Sequence, residues 1–221
     1  MRILLFGATG MIGQGVLKEC LTDPRVNAVL SIGRNPLGET HPKLKEIVHG
    51  DLTNYAAIEE QLRGADACFF CLGTTSAGKS EAEYTKITYD VTVAIATTLA
   101  KLNPTSTFIY VSAEGADSSE TSKIMWARVR GRTENAVLKL PFKGYVFRPG
   151  FVQPLDGIQS RTTAYRLFYK ALWPLLPAMR ALLPGSVSTT KIIGLAMIGV
   201  AHKGFGQKLL RTPDFARAAK L

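Results

Sequence analysis

The chain has 221 residues, 46% of them hydrophobic, with 27 Lys and Arg against 17 Asp and Glu and a net charge of +10. That length suits one domain with a sizeable core, and the scattered Gly and Pro exclude a low-complexity or fibrous chain. Three cysteines, an odd number, argue against a disulfide scaffold, and His41, His49 and His202 are too far apart to form a metal motif.

The charge is uneven. Residues 1–110 hold 10 basic and 11 acidic side chains, whereas residues 111–221 hold 17 and 6. A basic half suits an anionic cofactor, an anionic lipid surface or nucleic acid. The dense Lys/Arg stripe of a nucleic-acid reader is missing, so no specific nucleic-acid partner is expected.

In chain order, short apolar runs alternate with helical patterns. Arg2–Phe6, Ala28–Ile32, Glu46–His49, Ala67–Cys71, Thr107–Ser112 and Gly144–Phe147 read as strands, each bounded by turn residues. Helical patterns fall near 11–22, 55–63, 80–102 and 119–140; Ile87, Val91, Ala94, Ile95, Thr98 and Leu102 share one helix face. Such alternation predicts an α/β fold, a doubly wound parallel sheet of Rossmann type covered by helices on both sides. Ligands of these sheets sit beyond the carboxyl ends of the strands, so the segments just after each strand carry the functional reading. The N-terminus enters a strand at once and lacks the layout of a signal peptide, so a cytoplasmic location is expected.

After the first strand comes Gly7-Ala8-Thr9-Gly10-Met11-Ile12-Gly13. Its glycines permit a tight turn and close backbone approach to a pyrophosphate, which the N–H groups opening the next helix would hold. The spacing G-x-x-G-x-x-G differs from the G-x-G-x-x-G fingerprint. The second strand ends in Ile32-Gly33-Arg34. An acidic residue there would bind the ribose hydroxyls of NAD, whereas the Arg34 guanidinium matches a 2′-phosphate and points to NADP. After the third strand, Asp51 either accepts a bond from an adenine amino group, with Leu52 flanking the ring, or caps the helix at 54–63. The fourth strand ends in Cys71-Leu72-Gly73-Thr74-Thr75, where Gly73 lets the backbone lie against a cofactor and Thr74 reaches phosphate, ribose or substrate. Cys68 and Cys71, three apart in a strand, face opposite sides and make no metal or redox pair. Ser112 follows the fifth strand, and Pro149, Gly150 and Val152 follow the sixth.

Residues 1–150 read as the dinucleotide-binding core. Residues 151–221 read as a small C-terminal helical lobe on the substrate side, continuous with the same domain. Within it, Pro174 and Pro177 break an aromatic, basic stretch at 161–184 into two short helices. That stretch is too interrupted to span a bilayer. Its Phe168 and Trp173 suit core packing, with peripheral contact to anionic lipid as the other reading.

Taken in order, GATGMIG, IGRNP, GDL, CLGTTSAGKSEAEYTKITYDVT, YVSAEGAD, SKIMWARVRGRTE and RPG resemble the atypical short-chain dehydrogenase/reductases, in particular the Tat-interacting-protein-type NADP-binding proteins. The resemblance covers nearly the whole chain. It implies a Rossmann-type sheet of six or more strands and an active site in which Ser112 holds a substrate carbonyl or hydroxyl. It also implies a Tyr-x-x-x-Lys pair, lysine on the nicotinamide ribose and tyrosine as general acid/base. Those family positions fall on Trp126 and Arg130. An indole N–H only donates and has no accessible proton loss, and a guanidinium stays charged, so cofactor binding survives this double change and the usual proton relay does not.

Other groups near the strand ends offer a proton. Tyr84 is the better placed of Tyr84, Tyr89, Tyr165 and Tyr169, all of which also suit ordinary packing. Glu114 and Asp117 serve either as bases or as caps of the helix that begins nearby. Two functions follow: an NADP-dependent oxidoreductase-like protein acting on an unknown small molecule, or a noncatalytic NADP(H)-binding sensor or scaffold that regulates a protein partner. The sequence names neither the substrate nor the oligomeric state.

Overall fold

The computed structural model describes residues 1–158 and 185–221. The two short helices read around Pro174 and Pro177, the membrane-contact stretch, Tyr165 and Tyr169 lie outside them. The described elements are β1 (Arg2–Phe6), α1 (Met11–Thr22), β2 (Ala28–Gly33), β3 (Leu44–Val48), α2 (Glu59–Leu62), β4 (Ala67–Phe70), α3 (Glu81–Thr85), α4 (Val91–Leu102) and β5 (Thr107–Val111). They continue with α5 (Met125–Leu138), β6 (Lys143–Arg148), β7 (Phe151–Gln153), β8 (Val187–Thr189), α6 (Thr190–Lys203), β9 (Leu209–Arg211) and α7 (Thr212–Ala218).

Seven strands form one parallel sheet in the order β3-β2-β1-β4-β5-β6-β9, and β7 pairs with β8 in a parallel ribbon. The order reverses between β1 and β4, which places the ligand crevice at the loops after these two strands. Because side chains alternate, β1 sends Ile3 and Leu5 to one core cluster and Leu4 and Phe6 to the other. The first cluster lies under α1, α6 and α7, the second under α2, α4 and α5. Both faces are covered, which is why β1, β4, β5 and β6 read as nearly continuous apolar runs.

The structure alters three expectations. The helix read at 119–140 begins only at Met125. Glu120 has φ 63°, and the Asp117 carboxylate collects the N–H groups of Ser119, Thr121 and Ser122, which holds 117–122 in a tight loop. The helix read at 80–102 carries a π-helical turn at Lys86–Asp90 between α3 and α4, a feature that hydrophobic spacing does not reveal. Finally, of the segment read as a lobe at 151–221, the described residues 185–221 join the body of the fold: β9 completes the main sheet beside β6, and α6 packs against α1. Gly15 and Gly194 make that helix contact close, since a Cβ at Gly15 would stand 2.5 Å from Thr190 Cβ and one at Gly194 would stand 2.8 Å from Glu19 Cγ.

Candidate active site

Backbone geometry builds the crevice. Gly7 has φ +80°, and a Cβ there would lie 2.5 Å from Leu72 N and 2.7 Å from Cys71 O, so the first turn is pressed onto the chain leaving β4. The Cys71 N–H donates to Phe6 O at 2.9 Å and fixes that register. A Cβ at Gly13 would stand 2.0 Å from Gly7 O, so α1 enters flush against the turn. Gly10 N donates to Gly7 O at 2.9 Å, and α1 starts without a side-chain cap or an acidic residue in its first turn. The first N–H groups of Met11, Ile12 and Gly13 are therefore available to an anion, while the Met11 and Ile12 side chains pack into the core below. Thr9 O accepts from Gln14 Nε2 at 3.0 Å, tying the turn to the helix.

Around this cradle the sequence-predicted residues take distinct places. Arg34 is exposed just past the end of β2. Asp51 accepts from Thr53 Oγ1 at 2.6 Å and Thr53 N at 2.9 Å, bonds that hold its carboxyl below the usual range, Thr53 Oγ1 contributing most. It stabilises its own turn; the helical segment that follows is entered from Tyr55 instead. Leu52 is 8% exposed and belongs to the core with Phe6 and Tyr55. Val152 is likewise buried, in the ribbon register opposite Ser188. Pro149 is buried, Gly150 exposed, and Thr74 half-buried in the loop after β4. Cys68 packs in one core cluster and Cys71 against the other, on opposite sheet faces, and burial pushes both thiols up.

Helix α5 carries Trp126 and Arg130 one turn apart. The half-buried Arg130 donates through Nε to the Tyr84 hydroxyl at 3.0 Å, and a Cβ at Gly73 would lie 3.7 Å from its Nη2. Its terminal nitrogen therefore reaches the crevice at the loop after β4. Burial works against its charge, but the Tyr110 and Tyr84 hydroxyls and the Tyr84 bond outweigh this and raise its pKa. Tyr84 is 1% exposed and its hydroxyl accepts from Arg130, so it positions that guanidinium. Trp126 turns its six-membered ring onto the loop after β5, where a Cβ at Gly115 would meet Cη2 at 3.1 Å. Tyr89 lies under Arg132, whose guanidinium carbon is 4.1 Å from the ring centre.

Ser112 is 5% exposed, and among the described residues its Oγ has no hydrogen-bond partner. A buried hydroxyl left in that state is an unspent donor and acceptor at the end of β5. Asp117 is spent on its loop: bonds from Ser119 Oγ and Ser122 N, with others, hold its carboxyl down at about 2. Glu114 pairs with Arg211 at 2.9 Å. Neither carboxylate caps α5, and neither is a free base.

One buried pair joins two motifs that the sequence shows only separately, and it organises the region. Arg148, of the RPG motif, donates through Nε to Glu134 Oε1 at 2.9 Å and through Nη2 to Glu134 Oε2 at 2.5 Å and Ser118 Oγ at 2.6 Å. One helical turn earlier, a Cβ at Gly131 would stand 1.6 Å from Asp117 O. The G-x-x-E of α5 thus clamps the helix to the loop after β5 and to the end of β6.

Residues 7–138 match a family model described as NAD(P)H-binding. The chain belongs to this NAD(P)H-binding family. Among curated relatives, HTATIP2 of Rattus norvegicus is 29% identical over 227 positions, covering 94% of this chain and 92% of that protein. The mitochondrial protein FMP52 of Debaryomyces hansenii is 29% identical over 153 residues, covering 68% of this chain and 66% of its own length. The cytoplasmic location expected from the N-terminus draws no support from that fungal name. Among solved structures, the Bordetella bronchiseptica enzyme WbmF in complex with NAD+ superposes with a TM-score of 0.68 at 14% identity, covering 99% of this chain and 77% of that one. A short-chain dehydrogenase/reductase of Saccharomyces cerevisiae gives a TM-score of 0.68 at 12% identity, with 98% of both chains covered. These likenesses show the Rossmann-type fold. Among the described residues, no helix is long and apolar enough to cross a membrane.

The chain fits a dinucleotide. The glycine cradle that a Cβ would fill, the uncapped start of α1 and the cation at Gly73 are the parts such a ligand needs.

Proposed function

We propose that the protein binds NADP(H) and is an oxidoreductase-like member of its family that acts on a small molecule, with the cofactor-holding half of its active site kept and the proton-relay half replaced. The observation that carries this reading is the split behaviour of α5: Arg130 is held by Tyr84 with its far end at Gly73, while Trp126 packs on Gly115. In the bound state the turn at Gly7–Gly13 would hold the pyrophosphate, Arg34 the 2′-phosphate and Arg130 the ribose next to the nicotinamide. The nicotinamide would supply hydride; Ser112 would hold the substrate oxygen.

The same observation favours a second reading, a noncatalytic NADP(H) sensor or scaffold for a protein partner, because an indole accepts and releases no proton. The two are separated by a hydride-transfer screen over aldehydes, ketones and quinones, run on wild type and on Trp126→Tyr with Arg130→Lys. The oxidoreductase reading expects turnover in the wild type, rising about 10²–10⁴-fold when the general acid is restored. An inert wild type beside an active double variant would move the assignment to the sensor.

A further inference from the structure

A cavity of about 640 Å³ opens at the carboxyl ends of β5, β6 and β9, lined by Ala113, Glu114, Pro149, Phe151, Arg211 and Pro213 among others. Its size is that of a small-molecule site. We propose that this cavity is the substrate chamber of the site described above, and that it selects compact carboxylates anchored by Arg211, with Glu114 as the counter-ion they displace. The inference rests on the reading of Ser112 as the substrate-side hydroxyl.

Position is the first argument. Val111 is in register with Phe147, and Arg148 with Arg211, so Ser112, Arg148 and Arg211 form a row across three strand ends. Two strand spacings separate Ser112 from Arg211, roughly 10 Å between backbones. A ligand of a few bonds' length that reaches Ser112 with a carbonyl or hydroxyl therefore has its far end near the guanidinium.

Construction is the second. The walls are stitched together by hydrogen bonds from backbone N–H groups: Glu114 N to Pro149 O at 3.0 Å, Phe151 N to Ser186 O at 3.0 Å, and Gly150 N to the Thr212 side-chain Oγ1 at 2.9 Å. A Cβ at Gly150 would lie 2.8 Å from Ser186 O, so the floor closes only with glycine there. Arg148, the other cation of the row, is consumed by Glu134.

Charge is the third. Arg211 and Glu114 are the charged groups among the lining residues, and among the described residues Arg211 spends only Nη1 on a side-chain partner, Glu114, which leaves its Nε and Nη2 edge for a ligand. That edge matches a carboxylate in bidentate fashion. The pair is half-exposed, 56% and 43%, so Glu114 gives way at little cost where it competes with an incoming anion. Ala113, Pro149, Phe151 and Pro213 provide the surface for an apolar body.

The test uses the full chain, with and without NADP+, and two size-matched probe sets: benzoate, benzyl alcohol and benzylamine, then hexanoate and hexanol. Saturation-transfer NMR reads their binding to wild type, Arg211→Met and Glu114→Gln. The carboxylates are expected to bind about tenfold more tightly than the alcohols, the preference to vanish in Arg211→Met, and Glu114→Gln to strengthen carboxylate binding several-fold. Equal binding of alcohol or amine, no binding of either carboxylate, or a preference that survives Arg211→Met would overturn the proposal. NADP+ titration of the same samples reads the cofactor turn separately, so failure of the dinucleotide assignment shows there and not in the carboxylate preference of the cofactor-free protein.

Discussion

Glu134→Gln is expected to cost about 3–5 kcal/mol of stability, the loss seen when one partner of a buried ion pair is removed and the other is left charged. Glu134 is fully buried and Arg148 is 5% exposed. The amide keeps the shape of the side chain, but its NH2 group faces a guanidinium N–H, so one of the two parallel bonds becomes a donor–donor contact. In a chain of this size that loss lowers Tm by roughly 6–20 °C. Arg148→Met should fall as far, leaving the carboxylate without a counter-charge. Joining Glu134→Leu to Arg148→Met should recover part of the loss, because an apolar pair owes no desolvation. Glu60→Gln is the control: Glu60 pairs with Arg63 at 2.9 Å with side chains 80% and 51% exposed, and its change should stay within about 0.5 kcal/mol. Thermal melts of the four variants check the set. Single changes that cost less than about 1 kcal/mol would show that the clamp on α5 lies elsewhere.

The second large effect is expected at the cofactor turn. Gly13→Ala places a methyl 2.0 Å from Gly7 O, 2.7 Å from Gly7 C and 2.9 Å from Ala8 Cα, all backbone atoms. Two terms oppose each other. Alanine within a helix gains about 1 kcal/mol over glycine, whereas forcing a methyl into packed backbone costs about 1–3 kcal/mol or more. The clash wins, because neither side can rotate away, and α1 must tilt or slide from the turn. The N–H groups that open α1 then leave the place where they converge, and each tenfold loss of affinity corresponds to about 1.4 kcal/mol. Gly13→Ala should therefore weaken NADPH binding by about tenfold or more while the protein remains folded, measured by cofactor fluorescence and circular dichroism on the same samples. Gly50→Ala has nothing within 4 Å of the new methyl and should leave binding unchanged.

Much of this architecture was legible in the sequence because it depends on periodicity. The six strands read from the sequence all exist within a residue or two; for β1, β4, β5 and β6 the reason is that both sheet faces are covered and the apolar runs are nearly continuous. The crevice was legible because glycine spacing and the alternation of strands and helices are local signals. What escaped was long-range or short. Strands β7, β8 and β9 have three residues each and no pattern to distinguish them from loop. The start of α5 was misplaced because the Asp117 loop outcompetes the helix for the backbone N–H groups of Ser119, Thr121 and Ser122. Tyr84 was visible as a hydroxyl near the site, but only the fold shows that it is enclosed and bonded to Arg130. The G-x-x-E frame and the RPG motif were each visible, yet their connection through Glu134 and Arg148 spans 14 residues and two elements. The Glu114–Arg211 contact spans 97 residues and left no signal at all.

The central claim is that this fold binds a phosphorylated dinucleotide through the Gly7–Gly13 turn and Arg34. Its most direct test is calorimetric titration of wild type and Arg34→Ala with NADPH and NADH at one ionic strength. The account predicts that the wild type binds NADPH more tightly than NADH, that Arg34→Ala loses roughly 1–3 kcal/mol for NADPH from charge-assisted bonds to phosphate, and that NADH binding hardly changes. Equal affinities in the wild type, or equal losses for both cofactors, would contradict it.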